Sequence, residues 1–347
     1  MQKQDKAAYL AAISLFMSAL EMFIPHPLPF FRIGLANIPI LLAFSMDTGS
    51  FLLLSLLKGI GTSYVSGNLF SVFGIMSIVQ SLLSASASYA IYHVAGCCIS
   101  IYGISLAGAL ISAIAQIAVA SLYAGRGMLI FLPPLIIMSF PAALITAFLS
   151  KHIRIPDEIN LEYDDESRDN RRAIISMLIS VSAVMMIRTP IPALIAFLSA
   201  LLFQKASGRK IKILPHLLML IFMVLSSLLT PEGRILFSLF SFPVTEDALL
   251  RGIASSLRLS ASIALSQGFY SYIKPSGGII GKTLAAFTTL LEEWKHTSGK
   301  LTERINETLM MNNAIKYRKT AINIPLFTSI LLPSFLIFIL VCDYLFF

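Results

Sequence analysis

Four polar side chains interrupt otherwise apolar segments in the first third of the chain: Glu21, Lys58, Asn68 and Gln116. Arg32 and Asn37 stand among them in the stretch "FRIGLANIPILLAF", residues 31–44. A carboxylate, an ammonium, a guanidinium and three carboxamides can hold a polar solute by ion pairing and hydrogen bonding. They do not make up the nucleophile, base and orienting group that covalent catalysis needs. An ionisable group inside a bilayer costs about 3 kcal/mol or more, so these residues are functional candidates by default. Three outcomes fit Glu21 and Lys58: they pair with each other, Lys58 snorkels toward the interface, or both touch a ligand. Glu21, Arg32, Asn37, Lys58, Asn68 and Gln116 are the expected substrate-binding set, converging on one outward-facing pocket.

Other patterns carry less chemistry. "SGGIIGKT", residues 276–283, lacks the first glycine of a phosphate-binding loop and follows an apolar helix instead of a strand, so it reads as a helix start capped by Ser276. "DDESRD", residues 164–169, is a carboxylate cluster inside a polar stretch and reads as solvated linker, not as a magnesium–diphosphate site. The histidines (26, 93, 152, 216, 296) are scattered, and Cys97, Cys98 and Cys342 form no C-x-x-C. The sequence therefore predicts no metal, no cofactor and no enzymatic site.

The elements that must position these residues are membrane helices. Of the 347 residues 56% are hydrophobic and only 13% charged, with a mean hydropathy of +0.82, well above a soluble domain's apolar share of about 45–50%. Apolar segments recur at the length of about 20 residues that crosses a hydrocarbon core as a helix. The fold class is all-α and polytopic, with expected spans at 7–24, 35–47, 50–66, 69–95, 99–122 and 129–150, then 173–187, 189–204, 214–229, 248–270 and 322–346. That is about eleven spans in two modules, 1–150 and 173–347, joined by a polar linker at 151–172. The charged stretch 276–320 should form amphipathic helices resting on the cytoplasmic membrane surface before the last span.

The net charge of +8 falls in loops that become cytoplasmic if the N-terminus is inside, as the positive-inside tendency asks. The expected location is the cytoplasmic (inner) membrane, multi-pass, in contact with membrane lipids. No long basic tract exists, so nucleic acid is not an expected partner.

"RIGLANI" (32–38), Lys58-Gly59, Gly67, "FGIMS" (73–77), "GISLAGA" (103–109) with Gln116 and Ala120, and "FLPP" (131–134) resemble the Gx transporter family, also labelled heptaprenyl diphosphate synthase component I. That family is similar to the substrate-binding (S) components of energy-coupling-factor vitamin transporters, which implies six helices around a ligand pocket. Where the family tends to have His-Asn, this chain has Ser112-Ala113. The segment "LTPEGRILFSLFSFPVTEDALLRGIASSLRLSASIALS", residues 229–266, more faintly resembles the transmembrane (T) component of the same transporters. Its short Ala-Arg-Gly or Ala-Arg-Ser coupling motifs are missing, and Arg304 and Arg318 are the nearest candidates for partner coupling. The resemblance implies uptake of a small solute, anionic or vitamin-like, with cytosolic ATP-binding subunits as partners. Two rivals are a cofactor-free membrane subunit of a flavin- or redox-linked assembly and an accessory subunit of prenyl diphosphate synthesis.

Overall fold

The computed structural model describes residues 3–21, 34–156, 171–239, 242–272, 278–310 and 326–346. Arg32, Ser276, Arg318 and the acidic cluster at 164–169 lie outside the described residues. The described part is helical apart from one β-hairpin. In the N-terminal half α1 spans Lys3–Glu21, a 3-10 turn Leu35–Asn37 leads into the short α2 (Ile38–Leu42), and α3 spans Thr48–Val65. Then come α4 (Val72–Ala95), α5 (Ile101–Ala124), a second 3-10 stretch Arg126–Phe131 and α6 (Leu132–His152). The C-terminal half holds α7 (Arg171–Met186), α8 (Pro190–Ala206), α9 (Ile213–Leu228), the strands β1 (Ile235–Leu239) and β2 (Phe242–Thr245), and α10 (Glu246–Phe269). It ends with α11 (Gly278–His296), α12 (Leu301–Met310) and α13 (Leu326–Phe346).

Four described helical stretches are long and apolar enough to cross a membrane: Val72–Ala95, Ile101–Tyr123, Arg126–His152 and Glu246–Phe269. Pro190–Ala206, Ile213–Leu228 and Ser329–Leu345 are apolar but shorter. Large apolar side chains such as Leu122, Ile137, Leu202 and Ile213 are exposed on the outside of these helices, which suits a lipid environment and not water. The chain is a helical membrane protein.

Local chemistry sets the helix ends. The Asp47 carboxylate accepts the backbone N–H of Ser50 at 3.2 Å and the Ser50 hydroxyl at 3.0 Å, capping α3. Prolines occupy the first turns of α2, α6 and α8, where a missing N–H costs nothing. Between α3 and α4 the approach is close, since a Cβ on Gly59 would lie 2.9 Å from the Ile78 Cα. Small residues let membrane helices approach this closely.

Three features depart from the sequence reading. The expected span 35–47 is a 3-10 turn followed by an α-helix of five residues, which at about 1.5 Å per residue rises only about 7.5 Å of a core about 30 Å thick. Gly34, with φ of 86°, starts this segment and the Asp47 cap begins the next. Secondly, the antiparallel hairpin pairing Ile235 with Thr245 and Leu239 with Phe242 lies where no strand was expected; its run "ILFSLFSFPVT" is rich in aromatic and β-branched residues that favour strands.

The third departure concerns α11. Its apolar face, with Leu284, Phe287 and Leu290 buried, packs lengthwise against α1, a partner the sequence reading did not give it. Lys282 donates to the Asp5 carboxylate at 2.7 Å near one end, and the Phe16 and Trp294 rings meet edge to face at 5.6 Å near the other. The two helices therefore run parallel. The alanine-rich α1 is the most enclosed element described, with Ala7, Ala8, Ala11, Ala12, Ile13 and Phe16 wholly buried.

Candidate functional site

A cavity of about 160 Å³ opens among the helices, and every residue lining it falls between Ser18 and Thr146. Glu21, Asn37, Lys58 and Gln116 all line it. They come from the end of α1, the 3-10 turn, α3 and α5. The structure thus brings together every described member of the expected set except Asn68. That residue sits in the turn between α3 and α4, where its backbone N–H bonds the Ser63 carbonyl at 2.8 Å, and it does not line the cavity. The residues nearest to it in sequence that do line the cavity are Thr62 and Phe73.

The charged end of the cavity is built from the α1 terminus and the turn after it. Glu21 is 3% exposed, and its two carboxylate oxygens accept the backbone N–H groups of Gly34 at 3.0 Å and Leu35 at 3.2 Å. A carboxylate at the start of this helical segment satisfies donors that otherwise have no intrahelical partner. One turn further on, the Lys58 ammonium, 8% exposed, donates to Asn37 Oδ1. Glu21 and Lys58 therefore each serve a backbone or amide partner at the cavity edge.

The rest of the wall was missed by sequence reasoning. Along α4, Ser77, Ser81, Ser84 and Ser88 line the cavity, a spacing of four, three and four that puts them on one helical face. Opposite them α5 contributes Ser105, Gly108 and Ser112, and α6 contributes Ser139 and Thr146. Gly108 makes the fit between α4 and α5 possible, because a Cβ there would lie 2.4 Å from the Ser88 Oγ. The signal was present as a serine stripe with helical period in residues 77–88, but serine in membrane helices is also ordinary packing material.

A small apolar annexe adjoins this cavity. Met76, Gln116 and Leu135 line both spaces, and beyond them Met128, Phe131 and Phe222 enclose the annexe. Phe222 belongs to α9, so the C-terminal half supplies part of that wall; its ring stands 4.7 Å from Phe131. Elsewhere the halves meet through Phe70, whose N–H reaches the Ser266 Oγ at 3.5 Å, and through Arg258, whose guanidinium lies 5.5 Å from the Tyr123 ring centre.

Of the two partner-coupling candidates, Arg304 is described and does not line the cavity. Arg304 stacks on Trp294 at 3.7 Å from the ring centre and donates to the Trp294 carbonyl at 2.5 Å and the Thr297 hydroxyl at 3.3 Å. Its guanidinium is committed to joining α12 to α11. Arg318 is outside the described residues.

The fold and cavity define a helical membrane protein with a polar internal site in its N-terminal half. Residues 10–153 match the model of the family described as heptaprenyl diphosphate synthase component I. Residues 170–270 match a domain of unknown function, DUF8519, which says nothing of a T component. No curated protein and no solved structure matches the chain. The family match spans the cavity-forming helices, so the resemblance read from the motifs holds for that part of the chain.

Proposed function

We propose that the chain is a membrane transport protein whose N-terminal helices enclose a small solute, while the C-terminal half supplies a scaffold that couples this site to a cytosolic partner. The observation that carries the reading is the convergence of Glu21, Asn37, Lys58 and Gln116 on one cavity inside apolar helices. Such polar groups are costly to keep at membrane depth, and substrate pathways are where they concentrate. Support for coupling comes from α11, which follows the C-terminal half's α10 in sequence yet lies along α1; movement of the scaffold is thereby transmitted to the helix that ends in Glu21. In this reading the N-terminus and the 151–172 linker face the cytoplasm, the membrane is the inner one, and ATP-binding subunits are the partners.

The matched family's description names a synthase component, which gives a second reading: an accessory subunit of prenyl diphosphate synthesis. Affinity purification of the tagged full chain from its native membrane separates the readings. Recovery of ATP-binding subunits is the expected result. A soluble prenyl synthase recovered instead, or a flavoprotein, overturns the transport reading.

A further inference from the structure

We infer that the cavity and its annexe form one site for a small amphiphilic solute, a hydrogen-bonding body that carries a short alkyl end, with the alkyl end seated in the annexe against Phe222. This rests on the solute-binding reading above and names the class of solute. Three helices show the same change of chemistry along their lining faces. On α4 the lining runs from Ser88 through Ser84, Ser81 and Ser77 to Met76 and Phe73. On α5 it runs from Ser105 through Ser112 to Gln116, and then to Ile117 and Ala120 in the annexe. On α6 Thr146 and Ser139 give way to Leu135, with Phe131 just before the helix lining the annexe.

The packing brings the like ends of these three faces together. A Cβ on Gly108 would meet the Ser88 Oγ, while Met76 packs with Ala120, so α5 runs antiparallel to α4. Ser105 donates to the Ala143 carbonyl at 2.9 Å, while Ile117 packs with Leu135, so α6 runs antiparallel to α5. The hydroxyl-bearing turns therefore share one end of the space and the apolar turns share the other. Hydroxyls and carboxamides both donate and accept hydrogen bonds, which suits the larger part, about 160 Å³, to the polar body of a solute.

The annexe, about 20 Å³, exceeds the roughly 10–15 Å³ that one water-sized group occupies. A buried water also needs about 2–4 polar partners. Gln116 is the one side chain with a carboxamide or hydroxyl among the described residues lining the annexe, and the Met128 sulfur is already met by the Ser226 hydroxyl at 3.1 Å. Such a space favours an apolar group over water. The thioethers of Met76 and Met128 adapt to the shape of what enters. Because Met76, Gln116 and Leu135 line both spaces, one molecule can occupy the two at once. Phe222 alone, among the described lining residues, comes from the C-terminal half, so the alkyl end is the part of the solute that touches that half.

The test uses the full chain in lipid nanodiscs, dialysed against three polar bodies that each carry hydrogen, methyl or butyl: glycine, alanine and norleucine; glycolate, lactate and hydroxycaproate; formamide, acetamide and valeramide. Mass spectrometry quantifies what is retained, and the retained series identifies the polar body. Within that series the methyl member should exceed the hydrogen member by about fourfold, the gain for one buried carbon at about 0.8 kcal/mol, and the butyl member should fall below the methyl one. Phe222→Ala opens the annexe and should move the preference to the butyl member. Ala120→Leu fills it and should move the preference to the hydrogen member, with circular dichroism showing which variants are folded. A wild-type profile indifferent to the alkyl group, or one that neither folded variant moves, overturns the two-part site and leaves the solute-binding reading standing. Retention of no member of any series overturns both.

Discussion

Gly127 lies so close to Ser226 that a Cβ on the glycine would sit 2.3 Å from the Ser226 carbonyl oxygen. The two residues belong to different halves of the chain, one to the 3-10 stretch before α6 and the other to α9. Beside them the Ser226 hydroxyl meets the Met128 sulfur at 3.1 Å. This is backbone against backbone, which a flexible side chain cannot relieve by turning aside. Gly127→Ala should therefore destabilise the full chain by about 1–3 kcal/mol, the usual range for overpacking, seen as a lower thermal unfolding midpoint in nanodiscs. Gly49→Ala is the control: its nearest contact would be the Asp47 side chain at 3.5 Å, and it should change stability by less than about 0.5 kcal/mol. Equal midpoints for both variants would show that the halves yield at this point.

The final helix is fastened by one carboxylate. Asp343, 3% exposed, accepts the Arg188 N–H at 2.7 Å and the Thr189 N–H at 3.2 Å, together with the Thr189 hydroxyl. It thereby serves the donors at the start of α8, where a negative charge also complements the helix dipole. Asp343→Ala leaves those donors without their acceptor and should cost about 1–3 kcal/mol. Asp343→Asn keeps one acceptor oxygen and should cost less. Limited proteolysis of α13 provides the readout, with the order wild type, Asn, Ala in increasing cleavage rate; any other order means that apolar packing alone holds the helix.

Glu21 has a similar role at the cavity. With two backbone N–H partners, at Gly34 and Leu35, its removal exposes both. Glu21→Ala should loosen the segment that carries Asn37 and weaken solute retention, while Glu21→Gln, with one acceptor oxygen, retains part of both. If Glu21→Gln and Glu21→Ala behave alike in hydrogen exchange over residues 34–42, the negative charge matters more than the bonds.

Much of the cavity was legible because membrane burial makes polar residues conspicuous. Glu21, Asn37, Lys58 and Gln116 stand out against apolar neighbours, and a shared fate for them follows from the cost of isolating each. The serines of α4 were not legible in the same way, since a hydroxyl that bonds its own helix carbonyl is cheap and carries no positional signal. Asn68 was misplaced because helix periodicity does not extend through a turn. The short α2 defeated hydropathy for the opposite reason: "ANIPILLAF" is apolar enough to span, yet Gly34 and the Asp47 cap decide its length. The packing of α11 on α1 was not legible because an amphipathic pattern says that one face is covered and not what covers it.

That cover gives the last prediction. α11 shields α1 through the Phe16–Trp294 ring contact, and Trp294 is itself clamped by Arg304 from α12. α1 ends in Glu21, which fixes the Gly34 and Leu35 amides at the cavity. A continuous packed route therefore runs from α12 through Trp294 and α1 to the site. Arg304→Ala removes a cation–π contact worth about 0.5–2 kcal/mol and two hydrogen bonds, and should loosen α12 first. Trp294→Ala removes the aromatic contact with α1 as well, so its effect should travel further. The Asp5–Lys282 pair is partly exposed, so it contributes little and cannot substitute; surface pairs are worth about 0–1 kcal/mol. Hydrogen–deuterium exchange on the full chain separates the cases. Arg304→Ala should raise exchange over residues 297–310, whereas Trp294→Ala should also raise it over 34–42. If Trp294→Ala changes exchange only within α11 and α12, the route is broken at Phe16, and the C-terminal half does not act on the Glu21 end of the cavity through this contact.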